Sequence, residues 1–325
     1  MKKAIFLILF AIVVVNLVNL SLVLGIKQKT NSPVPTVIPT PKPTPTIVTS
    51  KPIVLAFVGD LSLAREINYQ IQQRGIDYPF EFVKQIISQA NLATANLESP
   101  LVDDCPTVRD GMKFCGPKSN VDGLVSAGFD LVNIANNHIG NYGPEGIDQT
   151  IEVLKEKEVQ PFGLGTIAYR SVDGFTVAFL GFDDTTGPVP DEYLKSKLNE
   201  AKSSADYLVV NFHWGQEYQD QPTQRQEYLA RLAIDSEADL IVGHHPHVLQ
   251  PIEYYQDKLI IYSLGNFVFD QMWSPATRTG AIGLVTINPD SKDELELIPV
   301  LIENYCQPRP IEGESKENLV QSLMP

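Results

Sequence analysis

An α/β fold is predicted for residues 52–325 on two observations. Short apolar, β-branched runs alternate along the chain with stretches whose apolar residues recur at helical spacing. Six of those runs also end in polar clusters, and in open α/β sheets ligands bind beyond the carboxyl ends of strands. The clusters are Gly59-Asp60-Leu61-Ser62, Asn96-Leu97-Glu98, Asn136-Asn137-His138, His213 to Glu217, Gly243 to His247, and Ser263 to Phe267. All five histidines of the chain, His138, His213, His244, His245 and His247, stand just beyond an apolar run.

The first 26 residues read as a membrane anchor. Ala4 to Gly25 is 22 residues without a charge, preceded by Lys2 and Lys3, and as a helix it would span roughly 33 Å, enough to cross a bilayer. No Ala-x-Ala site follows, which favours an uncleaved single-pass anchor over a signal peptide. The leading lysines favour a cytoplasmic N-terminus with the rest of the chain outside the cell. Residues 27–51 hold six prolines and six threonines, and read as an extended linker that reaches up to roughly 80 Å.

From Pro52 the alternation begins. Residues 53–58 read as a buried strand ending at Gly59-Asp60. Between Phe80 and Leu92, Phe82, Val83, Ile86, Ile87 and Ala90 recur at helical spacing, before a strand over 93–97 that leads to Glu98. A short helix over 121–128 precedes a strand over 129–135. Pro144 sits where a helix start accepts it, with Ile147, Ile151 and Leu154 along one face. Strands are expected at 175–182, 208–212, 240–242, 259–262, 282–287 and 295–302, with a helix over 224–236. Residues 52–310 are thus expected to form the domain, and 311–325 a C-terminal tail.

Composition narrows the function. Residues 1–51 carry six lysines and no acid, so the remainder has a formal charge of −20. Nucleic-acid binding needs clustered Lys and Arg and is not expected. Of three cysteines none forms a Cys-x-x-Cys pair, which argues against thiolate metal sites. Cys105 and Cys115, ten positions apart across a polar loop, either pair, contributing about 2 to 3 kcal/mol, or remain free thiols. Cys306 reads as buried. A Gly-x-Ser-x-Gly elbow, a Walker loop and a complete Gly-x-Gly-x-x-Gly are all absent from the sequence.

Paired divalent ions need a bridging carboxylate, terminal oxygen and nitrogen ligands, and open positions for substrate. Asp60, Glu98, Asn137, His213, His245 and His247 supply those types without sulfur, which suits manganese, iron or zinc. The blocks Val58-Gly-Asp60, Asn96-Leu-Glu98, Ala135-Asn-Asn-His138, His213-Trp-Gly-Gln-Glu-Tyr218, Gly243-His-His-Pro-His-Val248 and Ser263-Leu-Gly-Asn-Phe267 with Asp270-Gln271 resemble the capsule-synthesis CapA, or PgsA, family. That family is associated with poly-γ-glutamate production, and it lies within the calcineurin-like metallophosphoesterases, whose architecture is a four-layer α/β/β/α sandwich. The resemblance covers about Pro52 to Pro310.

Carried over, the resemblance implies Asp60 and His247 on one metal and Asn137, His213 and His245 on the other, with Glu98 bridging and His138 as general acid. Arg65, Asn96, Glu217, Asn266 and Asp270 would touch substrate or orient the ligands. Three departures stand out. Asp60-Leu61-Ser62 lacks the histidine of the usual Asp-x-His, Glu98 replaces an Asp, and Asn141 stands where an Asp often follows the histidine block. His244 lies outside the implied ligand set. Two functions are consistent with these features: a membrane-tethered metal-dependent hydrolase acting on a phosphoester or an anionic polymer, or a non-catalytic subunit that uses metal to hold such a polymer beside membrane synthetase partners.

Overall fold

Successive residues of the first strand, β1 (Ile53–Leu61), enter different cores. Ile53, Leu55 and Phe57 pack on one side and Ala56 and Val58 on the other, as the two-residue period of a strand requires. The computed structural model describes residues 52–288 and 291–325, and the anchor and linker expected over 1–51 lie outside them. Among the described residues no helix is long and apolar enough to cross a membrane.

In chain order the remaining strands are β2 (Leu92–Leu97), β3 (Leu101–Val102), β4 (Gly116–Pro117), β5 (Leu131–Asn133), β6 (Gln160–Phe162), β7 (Ala168–Val172), β8 (Phe175–Asp183), β9 (Tyr207–His213), β10 (Leu240–His244), β11 (Ile252–Tyr255), β12 (Lys258–Ile261), β13 (Asn266–Val268), β14 (Thr279–Ile287), β15 (Glu294–Glu303) and β16 (Gln307–Pro310). One sheet runs β16-β15-β14-β1-β2-β5-β6, with β13 added beside β1, and a second runs β11-β12-β10-β9-β8-β7. In the first, β1, β2, β5 and β6 are parallel; in the second, β8, β9, β10 and β12 are.

The sheets face each other across a shared apolar core. Leu55 and Phe57 of β1 meet Val177 and Phe179 of β8, Val209 of β9 and Val242 of β10 within it. The opposite face of the first sheet is covered by α1 (Arg65–Arg74), α2 (Lys84–Ile87), α3 (Val121–Ala127) and α4 (Gly143–Glu156), through Ile67, Ile87, Leu124 and Leu154. The opposite face of the second is covered by α5 (Asp191–Lys202) and α6 (Gln224–Asp235), through Leu194, Leu198, Leu229 and Ala233. The layers are therefore helix, sheet, sheet, helix. Each fully buried Leu, Val or Phe contributes about 1.5–3 kcal/mol relative to exposure.

Several expectations shift. The helical spacing at 80–92 yields only the single turn of α2, although Val83 and Ile87 still point into the core; the β-branched pair Ile86-Ile87 is a poor helix former. The strand expected over 129–135 is confined to β5, because its last residues turn towards the cluster at Asn136. Residues 311–325 form α7 (Gly313–Leu323), whose Leu323 is buried against the inter-sheet core. Cys105 and Cys115 form a disulfide, and Cys306 is buried.

Candidate metal centre

The carboxyl ends of β1, β2, β9 and β10 meet at one point, and two glycines let them approach. A Cβ on Gly59 would lie 2.1 Å from the Gly265 carbonyl oxygen, and one on Gly243 would lie 2.0 Å from that of Tyr262. Trp214 fills the space beside Gly243, fully buried, with its indole N–H donating to the Tyr262 carbonyl (3.0 Å), so it supports the strand ends rather than facing a ligand. After β10 the chain turns through His245 and His247 with φ of 95° and 58°. Such left-handed residues cost about 1–3 kcal/mol each and persist only where the surroundings impose them.

Asp60 anchors the cluster. Asn96 Nδ2 donates to its Oδ1 (2.9 Å) and the His245 backbone N–H to its Oδ2 (3.1 Å), while His244 Nδ1 and His247 Nδ1 lie 3.3 and 3.1 Å from its two oxygens. Burial works to raise this carboxyl, but the imidazoles of His244 and His247 hold it well below the usual range. Glu98 shows the reverse. Burial, and then the neighbouring charge of Asp60, push it well above the usual range. Its Oε1 accepts from Asn96 Nδ2 (3.0 Å) and lies 3.7 Å from His213 Nδ1, and its buried Oε2 has no partner.

Asn96 thus sits between Asp60, Glu98 and His213 Nδ1 (3.2 Å), its amide oriented by Asn133 Nδ2, which donates to Asn96 Oδ1 (3.0 Å). His213 Nε2 lies 3.0 Å from Asn137 Oδ1. Burial and then the charge of His245 hold His213 well below the ordinary imidazole range, and burial and then His247 lower His245. Both shifts favour the neutral imidazole, the form that binds metal.

The donors fall into two groups. Single ligand atoms of Asp60, Glu98 and His213 lie within 4.8 Å of one another, as do those of Glu217, His245 and His247. Coordination distances near 2.0–2.3 Å would place one ion inside each. A cation also suits the electrostatics. Two adjacent buried carboxyls cannot both ionise without one, and Glu98 Oε2 and His245 Nδ1 are buried without partners. The pairings implied by the family resemblance are neighbours as well, with His247 Nδ1 3.1 Å from Asp60 Oδ2, His213 Nε2 3.0 Å from Asn137 Oδ1, and the His213 and His245 ring centroids 4.8 Å apart.

The other predicted residues take identifiable places. Asn266 Oδ1 lies 2.9 Å from His247 Nδ1, and its amide nitrogen donates to Gln271 Oε1 and the Thr277 carbonyl. Arg65 opens α1, pairs with Asp270 and donates to the Gly111 carbonyl (2.9 Å), which leaves its Nε buried and unpartnered. His138 is 7% exposed and burial pushes it down to about 4; its Nδ1 lies 3.4 Å from Asn141 Oδ1, so the amide occupies the position where the family often has Asp. His244, outside the implied ligand set, lies beside Asp60 with Nε2 3.3 Å from Asn211 Oδ1. Three contributors went unread in the sequence: Asn133, Asn211 and Phe114. Position after a strand was a signal for His244. Phe114, apolar in a polar loop, carried none.

Residues 54–271 match the family described as bacterial capsule synthesis protein PGA_cap. The capsule biosynthesis protein CapA of Bacillus anthracis is 34% identical over 296 residues, 82% of this chain and 72% of the relative. The PGA biosynthesis protein CapA of Bacillus subtilis (strain 168) is 35% identical over 297 residues, 84% of this chain and 78% of the relative. Among solved structures, a hypothetical protein from Thermus thermophilus superposes with a TM-score of 0.54 at 15% identity, covering 77% of this chain and all of that one; it shares the fold.

Proposed function

The chain belongs to the bacterial capsule synthesis family PGA_cap, and from that premise we propose that it is a membrane-anchored, extracytoplasmic protein of capsule or poly-γ-glutamate-type polymer biosynthesis whose domain is a metal-dependent, metallophosphoesterase-like hydrolase. The observation that carries this reading is the pair of donor groups at the strand ends, with Glu98 Oε2 and His245 Nδ1 buried and unpartnered. Asp60, Glu98 and His213 would hold one divalent ion and Glu217, His245 and His247 a second, with the Asn137 amide oxygen beside His213. Manganese, iron and zinc fit these ligand types. Bound there, the ions would supply Lewis acidity and offset charge that builds on a phosphoester oxygen.

The chain's own side chains would do the rest. Asn96 and Asn133 fix the carboxylates, and Asn266 fixes His247. The His138 ring faces the Asn141 amide oxygen with Nδ1, which leaves Nε2 as the atom that would exchange a proton with the reacting oxygen, as the imidazolium when it donates and as the neutral ring when it accepts. Residues 4–25 would tether the domain and residues 27–51 space it from the bilayer, facing membrane synthetase subunits.

Full-length protein purified in detergent and dialysed against manganese, iron or zinc should retain up to two ions per chain by elemental mass spectrometry. It should also hydrolyse aryl phosphates or shorten poly-γ-glutamate, and His138→Ala should abolish turnover while metal is kept. Absence of retained metal, or of turnover on both substrate classes, overturns the hydrolase reading. The family and the anchor and spacer expected over residues 1–51 motivate a second reading, metal-dependent polymer holding without cleavage, in which bound cations would offset the −20 charge of residues 52–325 that otherwise repels a polyanion. Polymer binding that survives a chelator counts against it.

A further inference from the structure

The segment from Cys105 to Cys115 contributes nothing to either donor group, yet its end lies against His138. Residues 106–113 are exposed, whereas Phe114 and Cys115 are buried. The Phe114 ring stacks on the His138 imidazole, with centroids 3.9 Å apart and planes 14° apart. The Arg65 guanidinium lies 4.0 Å from the centroid of the same phenyl ring, and Phe269 meets that ring edge-on at 6.1 Å. Phe114 N–H donates to Asn141 Oδ1 (2.6 Å), the same oxygen that lies 3.4 Å from His138 Nδ1.

That last contact is near the limit of a hydrogen bond and cannot by itself fix the plane of the imidazole. The phenyl face does so. Phe114 depends in turn on a loop whose tip makes few buried contacts, and an open loop of that kind gains conformational entropy by leaving its place. The Cys105–Cys115 bond closes its ends, and polar contacts tie its exposed part: Arg65 donates to the Gly111 carbonyl, Arg109 donates to both carboxylate oxygens of Glu66 (2.6 and 3.0 Å), and Gln72 donates to Thr107 Oγ1 (3.3 Å). We propose that Phe114 is a positioning residue for His138 and that the Cys105–Cys115 disulfide holds it in place. This rests on the reading of His138 as the proton-handling group.

Cys105 is partly exposed. A dithiol can therefore reach the bridge, passing two electrons and two protons to its sulfurs to give two cysteine thiols while the reagent becomes a cyclic disulfide. Diethylpyrocarbonate labelling of the full-length protein in detergent, read residue by residue by peptide mass spectrometry, tests the proposal without metal or substrate. In the intact protein His138 should label slowly. It should label several-fold faster after reduction and alkylation, and in Phe114→Ala with the bridge intact, while the buried His244 stays unlabelled in both. Phe114→Tyr should restore protection.

Unchanged His138 labelling in Phe114→Ala overturns the positioning role. Unchanged labelling after reduction overturns the role of the bridge. So does simultaneous labelling of His244, which would make the disulfide a staple of the whole domain. Where phosphoester turnover is present, Phe114→Ala should lower kcat by roughly 10²-fold and leave KM unchanged, as expected for a misplaced reacting group. A wild-type protein without turnover would count against the hydrolase reading and leave the labelling outcome standing.

Discussion

Asp60 and His213 stand on strands and Glu98 stands one residue past the end of β2, all three fully buried, whereas Glu217, His245 and His247 stand beyond the ends of β9 and β10, with Glu217 partly exposed. The first group takes its geometry from sheet register, in which Asp60 pairs with Asn96 and His244 with His213. The second takes it from left-handed backbone at His245 and His247 and from side-chain contacts such as His247 with Asn266. Burial and the charge of Asp60 push Glu98 up, while the imidazoles of His244 and His247 overcome burial and hold Asp60 down, so the two carboxyls of the buried group stand at opposite extremes. The loop-built group is where substrate and solvent would reach the centre. Rigidity and access are thus assigned to different elements, joined where His247 Nδ1 meets Asp60 Oδ2.

The severest test of this contrast is Asp60→Ala. Asn96, His244, His247 and the His245 N–H would lose their shared acceptor, at a cost of about 3–5 kcal/mol. Urea unfolding measures it, and a loss below about 1 kcal/mol would mean that the buried side is not organised around this carboxylate. Metal removal comes next. Ions present at a hundred times their dissociation constant stabilise a fold by about 2.7 kcal/mol, so chelation should lower the unfolding midpoint and added manganese or zinc should restore it. A midpoint indifferent to both would leave the two groups without an ion to hold.

Compared in the metal-free state, Glu217→Ala should change stability by no more than about 0.5 kcal/mol, as for other accessible positions, yet after dialysis against metal it should retain one ion fewer per chain. Destabilisation as large as that of Asp60→Ala would erase the difference between the two groups. The smallest expected effect concerns Cys306, where burial outweighs the opposing charge of Arg74 and pushes the thiol up to about 12. A pKa raised by folding means that the native state favours the protonated thiol, and this contribution is lost only as pH rises through about 12. Iodoacetamide at mildly alkaline pH should therefore leave Cys306 unmodified in the native protein and alkylate it in urea. Rapid native alkylation would remove burial as the common cause of the shifts at Glu98 and Cys306.

Much of the fold was legible because strands announce themselves locally. The runs leading to Asp60, Glu98, His213 and His244 are short, apolar and β-branched, and the polar residue follows at the point where the strand ends. Helices α1 and α5 were harder to read, although Ile67 and Ile71, and Leu194 and Leu198, have the right spacing. Neither Ala64 nor Pro190 makes a side-chain cap that would mark a start. Thr223 does, through a capping box with Gln226, and α6 begins where the sequence suggested.

Sequence by itself determined the supply of donors, their order, and their delivery at strand ends, since each depends on residues within a few positions of one another. Only tertiary structure decided which donors share a site and which carboxyl is ionised. Asp60 receives the His245 N–H across 185 positions, and Asn96 reaches His213 across 117. Burial and charge act through space, so the opposite shifts of Asp60 and Glu98, the grouping of Glu217 with His245 and His247, and the stack of Phe114 on His138 came into being only when the sheets closed over one another.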